Sequence, residues 1–532
     1  MLARSYLDWL AAAMVVLGVV VRVRQYAFRR SLWLDEAMVA LNIGSRGFRG
    51  LLRPLALNQA APVGWLWLEH GLVRLFGNNE YSQRLVSLLA GIGVLVLLWH
   101  VARQLLPRWL VPVVLLLAAT SPSLIRYSNE AKQYESDAFA GLVLLAAALP
   151  LLPGPGKEGE RPSWRRFLLW GGLGAVSVWC SHPAVLVLGG LAGVLGVLLL
   201  ARRDWPRLTM LVWATAIWGG SFVAFDLVSL RALRGNDKLA AYWRSGFAPW
   251  PLRPSTLASW LAAVWRDLVH TVLGYGPLLL VGLLLLAGCV ALLRRRPLPG
   301  AALLLLAMGP PFLAAAALHL FPLQGRLALV LVPMLLVVLT SAAAWHGSSR
   351  PALIGRVTGL VLLAVLVVPP ATSTVALVVH PMTYEELRPV LQYVQAHRQQ
   401  GDLVWVQFAA TPAFSYYRPM TGVRSDRTMY FTHSSTPCPP TAEAMAPWHG
   451  RRIWLVFAHQ MSTAPANERA IFLSRFNQVG TMADHIQTVG AAAYLYDLGH
   501  PSHSSPELPY GNGDWCLRTS TQLLSPAGPV QI

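Results

Sequence analysis

A series of long apolar segments constrains the fold of this chain more than any other feature. About eleven can be drawn, several of them shorter than the roughly 20 residues of a straight span, so that these must tilt or extend into flanking polar residues. They lie near 7–23, 85–102, 109–124, 138–152, 167–180, 184–200, 208–228, 276–293, 299–320, 327–345 and 353–379. Hydrophobic residues make up 55% of the chain and charged residues 13%, and the mean hydropathy is +0.48. These values exclude an ordinary soluble domain and predict a polytopic α-helical membrane protein.

The short loops between these segments differ in charge, which predicts the orientation of the chain. One set of loops is rich in basic residues: Arg103, Arg108, Lys157, Arg161, Arg165, Arg166, Arg202, Arg203, Arg207, Arg294, Arg295, Arg296, Arg350 and Arg356. The short loops of the other set contain only Arg126, Lys132 and Arg326. Because Lys and Arg are retained in cytoplasmic loops, the N-terminus is predicted to lie inside. An odd number of spans then puts the tail after His380 outside.

The stretch 258–274 decides the number of spans. It is apolar enough to cross a bilayer, but it contains Arg266, Asp267 and His270. We interpret it as an interfacial helix, because counting it as a span would invert every later loop. The predicted organisation is a membrane module over residues 1–380, with a first outer loop at 24–84, followed by an outer domain over residues 381–532.

An adjacent carboxylate pair, Asp35 and Glu36, lies in the first outer loop shortly after the first apolar segment. Acids placed where a chain leaves the bilayer suggest a site at the membrane surface. The alternative is that the pair only caps the helix predicted to start at Ala37, since helix N-termini favour acids by a few tenths to about 1 kcal/mol. The pair by itself does not distinguish these two interpretations.

A second group of ionisable residues occupies 126–137, between two apolar segments on the predicted outer side. On a helix, one side would carry Arg126, Glu130, Gln133 and Asp137. The alternative is a self-satisfied surface turn in which Arg126 pairs with Glu130 and Lys132 pairs with Glu135. Placing so many charged side chains beside the hydrocarbon region is energetically unfavourable, and such residues are usually functional, which favours a functional site.

Two further outer positions are candidates for the same site. Arg326 follows Gly325 in a loop between two long apolar segments, where a phosphate could approach the glycine backbone closely. The alternative for Arg326 is contact with lipid headgroups. His182, in the turn before Pro183, is either a substrate contact or a structural hydrogen-bonding group.

The tail differs in composition from the membrane module and predicts a small α/β domain. A helix is predicted from Tyr384, Leu387, Val390, Leu391 and Val394 at helical spacing. Strands are predicted at 403–408, 453–457 and 492–496, and a second helix at 467–478. The final segment, 501–532, is rich in Pro, Ser and Gly.

The four cysteines do not indicate a catalytic or metal-binding role. Cys180 and Cys289 lie in apolar segments, while Cys438 and Cys516 lie in the tail, where an oxidising compartment would allow a disulfide between them. The sequence contains no Cys or His spacing typical of a metal site.

The order of these features resembles the GT-C superfamily of polyprenyl-phosphate-sugar-dependent glycosyltransferases. The likeness is greatest to bacterial relatives of protein O-mannosyltransferases and lipid A aminoarabinose transferases, in glycosyltransferase family 39. The matching motifs are Leu34-Asp35-Glu36, Arg126-Tyr127 with Glu130 to Tyr134, Pro322 to Arg326, and Tyr384 to Val390. Where such relatives often have Arg-Pro-Tyr, this chain has Lys132-Gln133-Tyr134, which keeps the charge but loses the bidentate guanidinium.

The resemblance implies a sugar donor on a polyprenyl phosphate and an acceptor that is a lipid, glycan or protein, in a bacterial inner membrane with the tail extracytoplasmic. Asp35 would be the general base, and Glu36 is the second candidate catalytic residue. Candidate cations for the departing phosphate are Lys132, Arg126 and Arg326. Candidates for orienting substrate are Glu130, Tyr134 and His182. Glu36 and Glu130 would orient acceptor hydroxyls or hold the cations. A divalent metal between carboxylates and phosphate is compatible with this scheme, though no cofactor is certain.

A secondary transporter is the alternative from another functional class. Transporters tend to place ionisable residues within their spans and to show internal repeats. Here the acids and bases gather at one predicted surface, which favours the glycosyltransferase. The net charge of +19 indicates affinity for anionic lipid or substrate, and its dispersal over membrane loops argues against a nucleic-acid partner.

Overall fold

The computed structural model describes residues 2–152, 163–294, 303, 305–345, 352–423, 429–431, 445–459 and 468–499. The chain divides into two compact units. The first, here called the membrane unit, contains Met1–Phe28 and Arg46–Pro381. The second unit contains Arg29–Ser45 and Met382–Ile532. The predicted disulfide between Cys438 and Cys516 and the predicted tail at 501–532 lie outside the described residues.

The membrane unit is helical throughout its described part. Its α-helices are α1 (Leu2–Ala27), α3 (Val63–Phe76), α4 (Leu85–Leu105), α5 (Val111–Thr120), α6 (Pro122–Tyr127), α7 (Tyr134–Ala148), α8 (Trp164–Cys180), α9 (Ala184–Ala201), α10 (Trp205–Phe225), α11 (Arg231–Arg234), α12 (Asp237–Tyr242), α13 (Pro254–Asp267), α14 (Leu278–Arg294), α15 (Pro310–Ala317), α16 (Val332–Ser341) and α17 (Ala352–Val379). Helix α2 (Leu34–Ser45) belongs to the second unit. Short 3-10 helices include Ser82–Arg84 and Gly325–Leu331, and α13 continues as a π-helix over Leu268–Leu273.

Six helical stretches in the described residues are long and apolar enough to cross a membrane. They are Tyr6–Ala27, Ser82–Leu105, Tyr134–Leu151, Ala184–Ala201, Trp205–Leu230 and Gly325–Ala344. A seventh is counted if Pro254–Leu273 and Leu278–Arg294, which meet at 87°, form one broken span. The predicted multi-pass helical architecture is confirmed, but the predicted count of about eleven is not reproduced. Among the other apolar helices of the described residues, Arg108–Thr120 and Leu305–Ala317 are shorter than a straight span.

Close packing of the membrane unit depends on small residues where helices meet. Helix α14 presents Gly288 to α16, where an added Cβ would collide with the backbone of Val338. Helix α8 likewise presents Gly171 to Ala214 of α10, where a Cβ would lie 3.0 Å from backbone atoms. Within a bilayer the hydrophobic effect contributes little to the association of apolar helices, so such close approach supplies the van der Waals contact that holds them together.

The second unit is an α/β domain built on a five-stranded sheet in its described part. Its strands are β1 (Leu403–Val406), β2 (Met429–Phe431), β3 (Arg452–Ala458), β4 (Thr481–Thr488) and β5 (Ala491–Asp497), in the order β2-β1-β3-β5-β4. Strand β1 pairs in parallel with β2 and β3, whereas β5 pairs antiparallel with β3 and β4. The helices of this unit are α2, α18 (Leu387–His397), α19 (Thr411–Thr421) and α20 (Glu468–Asn477). The predicted small α/β domain is thus confirmed.

One segment of this unit differs from the sequence-based division of the chain. Residues 29–45 were expected in the first outer loop of the membrane module, but they are part of the second unit. Leu32, Ala37 and Ala40 are fully buried in the same apolar core as Leu387 and Tyr417. Burial of these side chains is favourable by roughly 25 cal/mol per Å² of apolar surface, which explains why the segment folds with the tail.

Candidate active site

The predicted candidate residues fall into two groups, one in each unit. In the membrane unit, the stretch 126–137 is not the continuous helix expected from the spacing of its charges. Helix α6 ends at Tyr127 and α7 begins at Tyr134, with a turn between them. The backbone N–H of Lys132 donates to the carbonyl of Glu130 at 2.7 Å, which closes this turn. The turn is buried, so it is also not the surface turn of the alternative interpretation.

Of the two ion pairs expected for a surface turn, the structure contains the first. Arg126 Nε donates to Glu130 Oε1 at 2.9 Å, and the Glu130 side chain is fully buried while that of Arg126 is 35% exposed. Glu135 does not form the second pair: within the described part of the chain its buried carboxylate oxygens accept no hydrogen bond. Glu130 therefore holds a partly exposed cation in place, which is one of the two roles expected for it.

Two arginines and two tyrosines form what we call the Arg–Tyr cluster, consisting of Arg126, Tyr127, Tyr134 and Arg326. The Arg126 guanidinium carbon lies 5.2 Å from the centroid of the Tyr127 ring, and that of Arg326 lies 5.1 Å from the centroid of the Tyr134 ring. The two tyrosine rings meet edge to face with centroids 5.5 Å apart. Cation–π contacts of this length stabilise each guanidinium by roughly 0.5–2 kcal/mol. The structure thus links two of the predicted phosphate-binding cations.

Arg326 is positioned by the start of a short helix. Its neighbour Gly325 has φ = 50°, in the left-handed region that favours glycine. The Gly325 N–H donates to Asp267 Oδ2 at 2.5 Å. This N–H is therefore already engaged by a carboxylate, while the space beside the Gly325 Cα is open, so close approach of a phosphate to this backbone stays a prediction. The guanidinium of Arg326 also lies 5.4 Å from the Trp243 ring centroid.

Lys132, the third predicted cation, is buried next to this turn. Its ammonium nitrogen donates to Gln59 Oε1 at 2.7 Å, and its carbonyl accepts a hydrogen bond from Ser87 Oγ at 3.0 Å. The side chain is only 2% exposed. A buried ammonium retains its charge only with polar partners, so the amide of Gln59 is part of what keeps Lys132 in this position.

His182 is not brought into the Arg–Tyr cluster. Its ring packs on Phe225, with centroids 5.8 Å apart. Within the described residues, its Nε2 atom has no hydrogen-bond partner. Burial lowers the pKa of His182 to about 4, so the imidazole is neutral at physiological pH.

The carboxylate pair lies in the second unit, in the first turn of α2. Glu36 Oε2 accepts a hydrogen bond from the backbone N–H of Trp33 at 3.4 Å, which is the reciprocal half of a capping box. Glu36 is fully buried, and its Oε1 lies 3.9 Å from the guanidinium of Arg30. Asp35 is half-buried. The capping interpretation therefore describes Glu36, and it leaves Asp35 as the more accessible carboxylate of the two.

Sequence reasoning missed two residues that surround this pair. Glu385 Oε2 accepts a hydrogen bond from the backbone N–H of Leu34 at 2.9 Å, and Glu385 Oε1 lies 2.5 Å from His459 Nδ1. Glu385 was part of a motif used for the resemblance, but it was given no role. His459 directly follows strand β3, and the carboxyl ends of parallel strands are frequent positions for functional residues. That placement is the signal that would have found it.

The described residues supply no metal site. They contain no group of three or more His, Cys, Asp or Glu side chains that is arranged to hold a metal ion. A divalent metal shared with the donor phosphate would need fewer protein ligands than this, so the metal that the sequence allowed stays a prediction.

Residues 60–228 match the family model described as dolichyl-phosphate-mannose-protein mannosyltransferase. Two solved structures are similar to the chain: ArnT from Cupriavidus metallidurans in the apo state, and the same protein bound to undecaprenyl phosphate. They are 14% and 15% identical to this chain, cover 94% of it over 100% of their own length, and give TM-scores of 0.45 and 0.46. No curated protein sequence matches.

The matched segment contains α3 to α10, the turn 128–133 and three of the four members of the Arg–Tyr cluster. Mannosyltransferases of this description are polyprenyl-phosphate-sugar-dependent enzymes of the kind that the sequence motifs resemble. Residues 60–228 are therefore related to this mannosyltransferase family, and over this segment the resemblance to polyprenyl-phosphate-sugar-dependent glycosyltransferases inferred from the sequence is confirmed.

Proposed function

We propose that this protein is an integral-membrane inverting glycosyltransferase. It transfers a sugar from a polyprenyl-phosphate donor to a hydroxyl or amine acceptor on the extracytoplasmic face of a bacterial inner membrane. The observation that carries the proposal is the Arg–Tyr cluster, because two guanidinium groups are joined through aromatic rings within and beside the segment that matches a mannosyltransferase family. The N-terminus is cytoplasmic and the second unit extracytoplasmic in this proposal.

The cations act on the leaving group. When the bond between the sugar and the lipid phosphate breaks, negative charge develops on the phosphate oxygens, and fixed cations in a water-poor site stabilise that charge. Arg126 and Arg326 are held by aromatic faces and, for Arg126, by Glu130. Lys132 adds a third charge, supported by Gln59. These contacts fix the cations before the reaction starts, so little reorganisation is needed as charge develops.

Asp35 acts as the general base. Its carboxylate accepts the proton of the acceptor hydroxyl as the hydroxyl oxygen attacks the anomeric carbon. Attack opposite the departing phosphate inverts the configuration at that carbon. Glu36 is assigned a positioning role, because its carboxylate is buried, caps Trp33 and faces Arg30.

The alternative of a secondary transporter has no support from the family match, which is to a glycosyltransferase. Tyr134 is retained in the proposal as the aromatic platform of Arg326. His182 is left out, because its ring contact is with Phe225.

The experiment is sugar transfer in nanodiscs from a panel of polyprenyl-phosphate sugars, with membrane lipid, glycan and peptide acceptors. Wild type is compared with Asp35→Asn, and Asp237→Asn serves as a matched control because Asp237 is an exposed residue of α12. We expect transfer with one donor class, a loss of at least about 100-fold in Asp35→Asn with donor binding retained, and no change in the control.

Two outcomes would contradict the proposal. Equal activity of Asp35→Asn and wild type would remove Asp35 as the base. If the wild-type protein bound no polyprenyl-phosphate sugar, the glycosyltransferase function would be rejected and a secondary transporter would be the favoured function.

A further inference from the structure

His459 lies at the carboxyl end of strand β3 and has no role in the reaction as described so far. Its backbone φ of 56° is in the left-handed region, which is uncommon for a residue other than glycine. Residues in such conformations are held there by their surroundings and are frequent at functional sites. The contacts of this side chain therefore indicate what it does.

Glu385 connects His459 to the backbone next to Asp35. One of its carboxylate oxygens lies 2.5 Å from His459 Nδ1, and the other accepts the N–H of Leu34 at 2.9 Å. Glu385 is only 3% exposed, so water competes little for either bond. A single buried carboxylate thus orients an imidazole and fixes the residue that precedes Asp35.

The imidazole ring also contacts the segment 31–36 that contains Leu34 and Asp35, here called the loop. The rings of His459 and Trp33 stack at 24° with centroids 6.3 Å apart, and the Trp33 ring lies 6.1 Å from that of Tyr384. Trp33 and Leu34 therefore both depend on the pair formed by Glu385 and His459. The position of Asp35, the next residue, depends on it in turn.

Charge reinforces this arrangement. The hydrogen bond to Glu385 raises the pKa of His459 above its ordinary value, helped by the negative charges of Glu385 and Asp35 and opposed by burial. The remaining charged groups on the same two segments are Arg29, Arg30, Glu36, Glu386 and Arg388. Arg30 faces Glu36, and Glu386 accepts the N–H of Ser31. As an imidazolium, His459 attracts both carboxylates that face it.

We propose that His459 is a positioning residue for Asp35, which it fixes through Glu385 and Trp33 so that the carboxylate is presented to the acceptor. This inference rests on the function proposed above. Below its pKa, His459 is charged and holds the loop firmly. As the pH rises through that raised pKa, the imidazolium loses its proton, the attraction to Glu385 and Asp35 is lost, and the loop loosens.

The first test does not depend on activity. Hydrogen–deuterium exchange of the peptide spanning 31–36 is followed in the full-length protein in nanodiscs from pH 5.5 to 8.5, with correction for intrinsic exchange. In wild type we expect protection of this peptide to fall as the pH passes the His459 pKa. In His459→Gln, which keeps a hydrogen-bonding group without the charge, protection should be lower by about tenfold and independent of pH. His449→Gln is the matched control, because His449 is an exposed residue of the same unit.

The second test is the pH dependence of sugar transfer. In wild type, kcat should fall as the pH rises above the His459 pKa. In His459→Gln, kcat should be lower and should not show this fall, while the KM for the donor should be unchanged. Glu385→Gln is the second variant, and exchange of strand β3 reports whether either variant is folded. Protection and pH profile identical to those of His449→Gln would overturn the inference. If wild type transfers no sugar while exchange responds as expected, the proposed function fails but the role of His459 in fixing the loop stands.

Discussion

The guanidinium of Arg326 packs on the ring of Tyr134, with 5.1 Å between the guanidinium carbon and the ring centroid. The two residues come from distant parts of the chain, since Tyr134 starts α7 and Arg326 lies in the short helix Gly325–Leu331. The contact uses the aromatic face and does not require the tyrosine hydroxyl. It therefore separates two roles for Tyr134, as a platform for a cation or as a group that binds substrate directly.

Replacing Tyr134 by Phe should leave the KM for the polyprenyl-phosphate donor within about threefold of wild type, because the ring face that holds Arg326 remains. Tyr134→Leu should raise that KM by about tenfold, since loss of roughly 1.4 kcal/mol of cation–π stabilisation corresponds to a factor of ten. Steady-state kinetics at varied donor concentration measures both. A large loss in Tyr134→Phe would instead assign the hydroxyl to substrate binding.

Lys132 and Gln59 should be energetically coupled, because the ammonium donates to the amide oxygen at 2.7 Å within a buried site. Lys132→Met removes the charge, and Gln59→Leu removes the hydrogen-bond acceptor. We expect Gln59→Leu to weaken donor binding about tenfold or more, because a hydrogen bond to a charged group contributes this much free energy. In the Lys132→Met variant, the Gln59 amide no longer accepts a hydrogen bond from a charged group. The effects in a double-mutant cycle on donor affinity should therefore be less than additive.

Lys238→Met is the control for this cycle, since Lys238 is exposed on α12 and should tolerate the change. Strictly additive effects of Lys132→Met and Gln59→Leu would show that the hydrogen bond makes no contribution to donor binding.

His182 should make the protein sensitive to acid. Because burial lowers its pKa to about 4, the native protein keeps the imidazole neutral, whereas the unfolded chain takes up a proton below about pH 6.5. Stability is therefore lost as the pH falls from 6.5 towards 4, by about 2 kcal/mol at pH 5. His182→Phe should show a smaller drop in the thermal unfolding midpoint between pH 7.5 and pH 5.0 than wild type.

The same variant tests whether His182 contacts substrate. Its ring packs on Phe225, which a phenylalanine can reproduce, so sugar transfer at pH 7.5 should be retained. His100→Phe, at an exposed position of α4, should leave the acid sensitivity unchanged. If His182→Phe lost sugar transfer while its thermal unfolding midpoint stayed normal, His182 would be assigned to substrate binding.

The parts of the fold that follow from local patterns were predictable from the sequence. Apolar length predicted the membrane helices, although it does not tell whether a short apolar segment crosses the bilayer. Helical spacing predicted α18, and runs of apolar residues predicted β1, β3 and β5. Strands β2 and β4 were missed, and the residues of β4 alternate between exposed and half-buried positions and form no apolar run.

The parts that depend on contacts between distant residues were not predictable in this way. The ion pair of Arg126 with Glu130 follows from i,i+4 spacing, but the break between α6 and α7 does not. The pairing of Arg326 with Tyr134, and of Glu385 with both Leu34 and His459, joins segments that no short motif relates. Candidate residue types were recognisable from sequence, whereas their partners required the folded chain.

The second unit is assembled from two pieces of chain that flank the greater part of the membrane unit. A proteolytic or recombinant fragment that starts at Met382 would lack Leu32, Ala37 and Ala40, and would expose the apolar surface that these side chains cover. Such a fragment is expected to aggregate. A version of this unit for ligand screening would have to keep both pieces, with a flexible linker that joins residues 29–45 to 382–499 in place of the membrane unit.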